Sequence, residues 1–282
     1  MNDTPADRGL SSGDAASAPV GQGLSRRDRL IIGAEIWILL GLSLGRSGVY
    51  ALVNIIARLT DSTPLAQQTT AINASQSTRP YLDLTYQVLS LVFALVPVAL
   101  ALYLLSARGR SVVRSLGMDG SRPMRDFGWG MGLAAVIGIP GLAFYVLGRQ
   151  LGITVGVEAA GLDPTWWAIP ILILAALKNG VLEEIIVVGY LWERLRDLGW
   201  GTWRIIWTSA LVRGSYHLYQ GIGPFIGNVV MGVLFAWFYQ SRWGRNRVWP
   251  LVIAHTVIDI VAFVGYLALP DAWLSALGVS VR

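Results

Sequence analysis

Between residues 30 and 269 the chain is a succession of apolar runs, falling near 30–46, 86–106, 127–148, 166–192, 203–219, 223–240 and 248–269. Each reaches, or falls just short of, the ~17–25 residues that a helix needs to cross a bilayer. In hydrocarbon every backbone N–H and C=O must be satisfied within the protein, so such runs fold as helices. The expected fold is all-α: a polytopic transmembrane helix bundle of seven to eight spans. The region 47–59 leaves the count open, because it can lengthen the first span, lie in the interface or form an eighth helix. Composition agrees, at 54% hydrophobic and 14% charged residues, against roughly a quarter charged in soluble domains.

The charge excludes some functions and orients the chain. The net charge of +5 comes almost entirely from arginine, and Lys178 is the sole lysine. The arginines sit in connections between runs: 26, 27 and 29 before the first, 108, 110, 114, 122 and 125 in the second connection, 194, 196 and 204 around the fourth, and 242, 245 and 247 after the sixth. That alternation reads as membrane orientation and contact with anionic lipid rather than nucleic acid, and it places the N-terminus in the cytoplasm of a multi-pass cell-membrane protein. Tryptophans 166, 167, 192, 200, 203, 207 and 249 suit interfacial anchors. Residues 1–25 are small and polar and are expected to form a disordered cytoplasmic tail. There is no cysteine, so any metal must be held by His, carboxylate or amide groups.

Against this apolar background a few ionisable residues stand out. Both histidines of the chain, His217 and His255, lie in late apolar runs, with Asp259 four residues after the second. Glu183 and Glu184 lie in the run 166–192. Charged or titratable groups within spans mark functional sites by default. Helical rise measured from the flanking arginines puts Glu184 about 15 Å deep, His255 about 12 Å, Asp259 about 18 Å and His217 about 20 Å. In a core of ~30 Å these depths lie around the midplane, so the groups can share a cavity. His255 and Asp259, at i and i+4, occupy one helical face. Glu183 and Glu184 are about 100° apart on a helix, so only one is expected to point fully at a shared centre.

These motifs, in this order on consecutive spans, resemble the CPBP family of intramembrane metalloproteases, also called the Abi or type II CAAX-prenyl-protease family. Its pattern is Glu-Glu-x-x-x-Arg, then Phe-x-x-x-His, then His-x-x-x-Asn or Asp. Glu183 and Glu184 match the first motif, His217 the second, and His255 with Asp259 the third. The resemblance covers roughly 165–269 and implies a catalytic membrane core there, preceded by N-terminal spans over 30–148. Two positions depart from it: Val188 stands where the family has arginine, and Arg213 where it has phenylalanine. Val188 is about 9 Å deep and Arg213 about 13 Å, nearly one layer on adjacent antiparallel spans. Arg213 is therefore expected to supply from the next helix the guanidinium that the first motif lacks.

The implied chemistry is hydrolysis of a peptide bond in a membrane-associated protein or peptide. One glutamate activates a water, alone or on a metal, while the second histidine and Asp259 position the water or stabilise the oxyanion. Which glutamate is the base stays open. So does the metal: His217, His255 and Glu184 make an admissible Zn2+ set, yet His-x-x-x-Asp is a weaker signal than His-Glu-x-x-His. Asn228 is expected as an additional polar group facing the cavity, Lys178 as a more distant balance for the acids, and Glu35 to snorkel or pair. Glycines 180, 214, 221, 223, 227 and 232 are read as close-packing positions. Two other readings stay available. A proton-coupled transporter also carries Glu, His and Asp within spans, and a catalytically idle binding or immunity protein is suggested by the missing arginine at 188.

Overall fold

The computed structural model describes residues 24–107, 109 and 111–276. The expectation for residues 1–23, and Arg108 and Arg110 as orientation markers, lie outside the described residues. The chain begins with α1 (Arg26–Leu42), opened by a reciprocal cap in which Ser25 and Asp28 each satisfy the other's backbone N–H. It continues through α2 (Leu44–Leu59), β1 (Thr69–Ala71), α3 (Pro80–Ala94), α4 (Val96–Ser106), α5 (Val112–Ser115), α6 (Pro123–Gln150) and β2 (Gly156–Glu158). The second half holds α7 (Ala168–Glu183), a π-helical turn (Glu184–Tyr190), α8 (Leu191–Asp197), α9 (Thr202–Ser215), α10 (Ile222–Gln240), α11 (Trp249–Ala268) and α12 (Asp271–Ala276). Prolines at the first turns of α3, α4, α6 and α11 fit positions where no N–H is needed.

The bundle is all-α, as the apolar runs require. Among the described residues three helices are long and apolar enough to cross a membrane: Pro80–Ser106, Pro123–Gln150 and Ile222–Gln240. The α1–α2 pair, bent by 57°, makes a fourth if its arms are one span. The expected run 30–46 is thus split at Ser43, and 47–59 belongs to a separate helix. The α7–α8 stretch carries Lys178, Glu183 and Glu184 across a π turn, and α9 is only 14 residues long.

Helices α9 and α10 pack along each other, and α11 lies against both α6 and α7. The π turn is wholly buried and joins the main apolar core. Two of the arginines read as loop markers are core residues instead. Arg194 is fully buried, with Glu35 at 3.1 Å, Asp197 at 3.3 Å and the Leu104 carbonyl at 2.5 Å, tying α8 to α1 and α4. Arg247 binds Asp126 of α6 and Asp119, each with a shortest contact of 2.7 Å. A guanidinium with carboxylate partners can be buried, whereas an unpaired one cannot. Trp167 and Trp192 are likewise buried rather than interfacial.

A two-stranded parallel pairing, Thr69↔Gly156 to Ala71↔Glu158, links the loops after α2 and α6. The second of these loops then pairs Thr154 with Gly221, where the chain turns from α9 into α10. Gly221 has φ 115°, and a side chain there would strike the Ile153 carbonyl. Glycine is the residue that tolerates both constraints.

Candidate active site

Helix α7 ends at Glu183, and the i→i+5 pattern of the π turn begins at Glu184. Such turns recur at functional sites because they widen the helix and re-aim its side chains. Gly180, one turn earlier, lets α11 come close: a Cβ there would lie 2.6 Å from Thr256 Oγ1 and 2.9 Å from the Val252 carbonyl. That approach brings His255 against the glutamates.

Arg213 of α9 completes the cluster. It is fully buried. Its Nη1 donates to Glu183 Oε2 at 3.2 Å, and its Nη2 to Glu184 Oε1 and Oε2 at 2.8 and 2.7 Å. The guanidinium from the neighbouring helix therefore reaches both carboxylates, while Val188 is an apolar core residue, 1% exposed. Both glutamates, though adjacent in sequence, share this one cation. The π turn and the two-pronged guanidinium accommodate both.

The two carboxylates are used differently. Glu184 accepts from Arg213 at both oxygens, and its Oε1 also meets His255 Nδ1 at 2.6 Å. Because a carboxylate only accepts, Nδ1 carries the proton and Nε2 is turned elsewhere. Glu183 receives Arg213 and the Tyr216 hydroxyl, the latter at 2.7 Å, both on Oε2. Its Oε1 accepts no hydrogen bond from the described residues. His255 Nε2 stands 4.0 Å from Glu183 Oε2 and 3.8 Å from Asp259 Oδ1, spacings suited to a bridging water rather than a direct bond. Asp259 Oδ2 is held by Asn179 Nδ2 at 2.7 Å, and the Lys178 ammonium donates in turn to Asn179 Oδ1.

His217 is placed differently from expectation. Helix α9 stops at Ser215, so His217 lies in the turn before α10 rather than within a span. The reversal is pinned by Thr154 and Gly221. Its ring lies 4.9 Å from that of Tyr216, whose hydroxyl reaches Glu183. Both its ring nitrogens are buried without a hydrogen-bond partner among the described residues. Asn228 donates to the Pro224 carbonyl and joins none of these bonds.

The donor chemistry bears on a metal. Among the described residues Glu183, Glu184 and His255 are the His and carboxylate group whose ligand atoms lie within 4.8 Å of one another. His217 is not part of it, so the set His217, His255 and Glu184 is not assembled. Arg213 already engages both oxygens of Glu184, and a dication there would oppose the guanidinium across one carboxylate. The residues fit a zinc ion poorly.

Tyr216 and Asn179 escaped the sequence reading. Asn179 is signalled by its place four residues before Glu183 in an apolar run, on the same helical face. Tyr216 carries no such signal, since a tyrosine next to a histidine is ordinary.

No curated protein and no solved structure matches the chain. A family model does match, over residues 165–261, and its description is type II CAAX prenyl endopeptidase Rce1-like. That stretch contains both glutamates, Arg213, both histidines and Asp259. The match over residues 165–261 is consistent with the CPBP resemblance of the three motifs, and the matched family is one of proteases.

Proposed function

We propose that the chain is an intramembrane endopeptidase in which Glu183 activates the attacking water. The unequal use of the two carboxylates carries this reading. Glu184 is saturated by Arg213 and His255 and acts as an anchor, whereas Glu183 keeps Oε1 free to accept a proton. A general base must be within hydrogen-bond reach of the proton it takes, and Glu183 is the carboxylate able to offer that.

His255 Nε2, between Glu183 and Asp259, positions the water. Glu183 Oε1 takes its proton as the oxygen adds to the scissile carbonyl. His217, whose ring nitrogens have no hydrogen-bond partner among the described residues, donates to the resulting oxyanion. Glu183 then returns the proton to the leaving amine as the C–N bond breaks, and acid and amine products account for the water consumed. Arg213 holds both glutamates in place throughout.

The substrate is a membrane-associated protein or peptide. The protein is a multi-pass resident of the cell membrane, with its N-terminus in the cytoplasm. The arginine-bearing connections 111–125 and 241–247 support that orientation.

The test compares protein termini in membranes carrying wild type, Glu183→Gln or Glu184→Gln at matched abundance. Termini seen with wild type and lost in Glu183→Gln, while that variant stays folded, support the proposal. Glu184→Gln should lose folded protein as well as termini, because a buried guanidinium is left underpaired. Identical termini in all three would favour the idle binding protein.

A further inference from the structure

Away from the glutamate cluster, at the end of the bundle where α5, α6, α10 and α11 meet their loops, lies a polar pocket of about 200 Å³. Arg114, Arg122, Arg245 and Arg247 line it, with Asp119 and Ser121. These arginines come from three segments: the end of α5, the residue capping α6, and the α10–α11 connection. Only one of the four charges is balanced. Arg247 is neutralised by Asp126 and Asp119, which leaves the lining aspartate already engaged. Among the described residues Arg114, Arg122 and Arg245 have no acidic partner. Three like charges around one small concavity repel each other and collect an anion.

The loop is built rather than lax. Arg245 and Asn246 both have left-handed backbones, with φ 52° and 55°. Neither is glycine, and such conformations persist where surrounding structure enforces them. The Arg245 amide donates to Ser241 at 2.8 Å and the Asn246 amide to Tyr239 at 2.7 Å, so the end of α10 enforces the turn.

The surroundings of the pocket name the anion. Trp129, Trp237 and Trp243 pack ring to ring beside it, at 5.4 and 6.4 Å between centroids, and each is more than a third exposed. Arg125 donates to the Trp243 carbonyl, and the Arg242 guanidinium lies 5.1 Å from its ring. Exposed tryptophans ringed by arginines are the mark of the headgroup layer. We propose that this pocket binds the phosphate of an anionic phospholipid, gripped by Arg114, Arg122 and Arg245. Guanidinium forks match phosphate oxygens bidentately. A space this size takes a headgroup and leaves the acyl chains in the bilayer. The site is separate from the hydrolytic cluster and does not depend on its chemistry.

The test uses the full chain in phosphatidylcholine bilayers doped with increasing phosphatidylglycerol, following the thermal unfolding midpoint. Inorganic phosphate is the second probe. Wild type should gain stability with phosphatidylglycerol at low mole fraction and lose the gain in high salt. The Arg114→Gln/Arg122→Gln/Arg245→Gln variant should need roughly a hundredfold more of the lipid, while Arg242→Gln, outside the pocket, responds as wild type. If the triple variant fails to fold, Arg122→Gln alone should show roughly a fivefold weakening. An unchanged response of these variants overturns the proposal. An equal gain from inorganic phosphate alone overturns the lipid as its occupant.

Discussion

Arg213 and Glu184 are bound by one guanidinium nitrogen that donates to both carboxylate oxygens, at 2.8 and 2.7 Å, in a place where neither side chain meets solvent. The same guanidinium reaches Glu183 with its other nitrogen. A charge buried this completely is tolerated because its partners are buried with it, and removing either side leaves the other stranded.

Arg213→Ala should therefore cost stability as well as activity, by roughly 3–5 kcal/mol. Arg213→Lys keeps the charge but cannot fork to two carboxylates, so it should fold better than the alanine variant and still be slow. Arg213→Phe should inactivate the protein, and adding Val188→Arg should restore part of the activity. Unfolding midpoints and cleavage rates measured side by side read these effects. A double variant no better than Arg213→Phe would show that the guanidinium cannot be moved between the helices.

Asn179 should act as a positioning residue through Asp259. Asn179→Ala is expected to lower kcat with little change in KM. Combined with Asp259→Ala it should add almost nothing, because both remove the same 2.7 Å bond. Fully additive effects in the double-mutant cycle would place Asn179 outside the reaction.

Metal removal tests whether a metal cation takes part in the reaction. With Arg213 between the glutamates, cleavage by the purified protein should survive exhaustive chelation and show no stoichiometric zinc. Loss on chelation that zinc reverses would require a cation site built from Glu183 and His255 and would overturn the metal-free chemistry.

A pH effect on stability is expected at the other end of the bundle. The hydrogen bond from Arg247, with those from Ser121, holds the Asp119 carboxyl well below the usual carboxylate range. A folded-state value below the unfolded one stabilises the protein above about pH 4 and loses that stabilisation as pH falls toward the folded value. The unfolding midpoint of Asp119→Asn should thus lie below wild type near neutrality, and the two should converge in acid. A gap that is constant with pH would mean the ion pair contributes nothing.

Much of the fold was legible because hydrocarbon forces helices, and a run of apolar residues announces one without reference to its neighbours. The π turn, the bend at Ser43 and the strand pairing Thr69↔Gly156 were not legible. Each is a local departure enforced by contact with distant segments, and three-residue strands have no periodicity to detect. Arg194 and Arg247 misled in an instructive way. An arginine in a connection looks like a surface charge until its carboxylate partners, 121 or more residues away in the case of Arg247, are brought beside it.

The sequence by itself determined that this is a helical membrane bundle. It also singled out Glu183, Glu184, Arg213, His217, His255 and Asp259 as the residues to watch, because ionisable groups in apolar runs are costly enough to need a reason. Tertiary structure decided how they are partnered. Only packing could show Arg213 and His255 saturating Glu184, Tyr216 and Arg213 sharing one oxygen of Glu183, and His217 standing in a turn. Those outcomes rest on hydrogen-bond geometry of a few tenths of an ångström between helices. Linear spacing fixes the depth and face of a side chain, but not its partner.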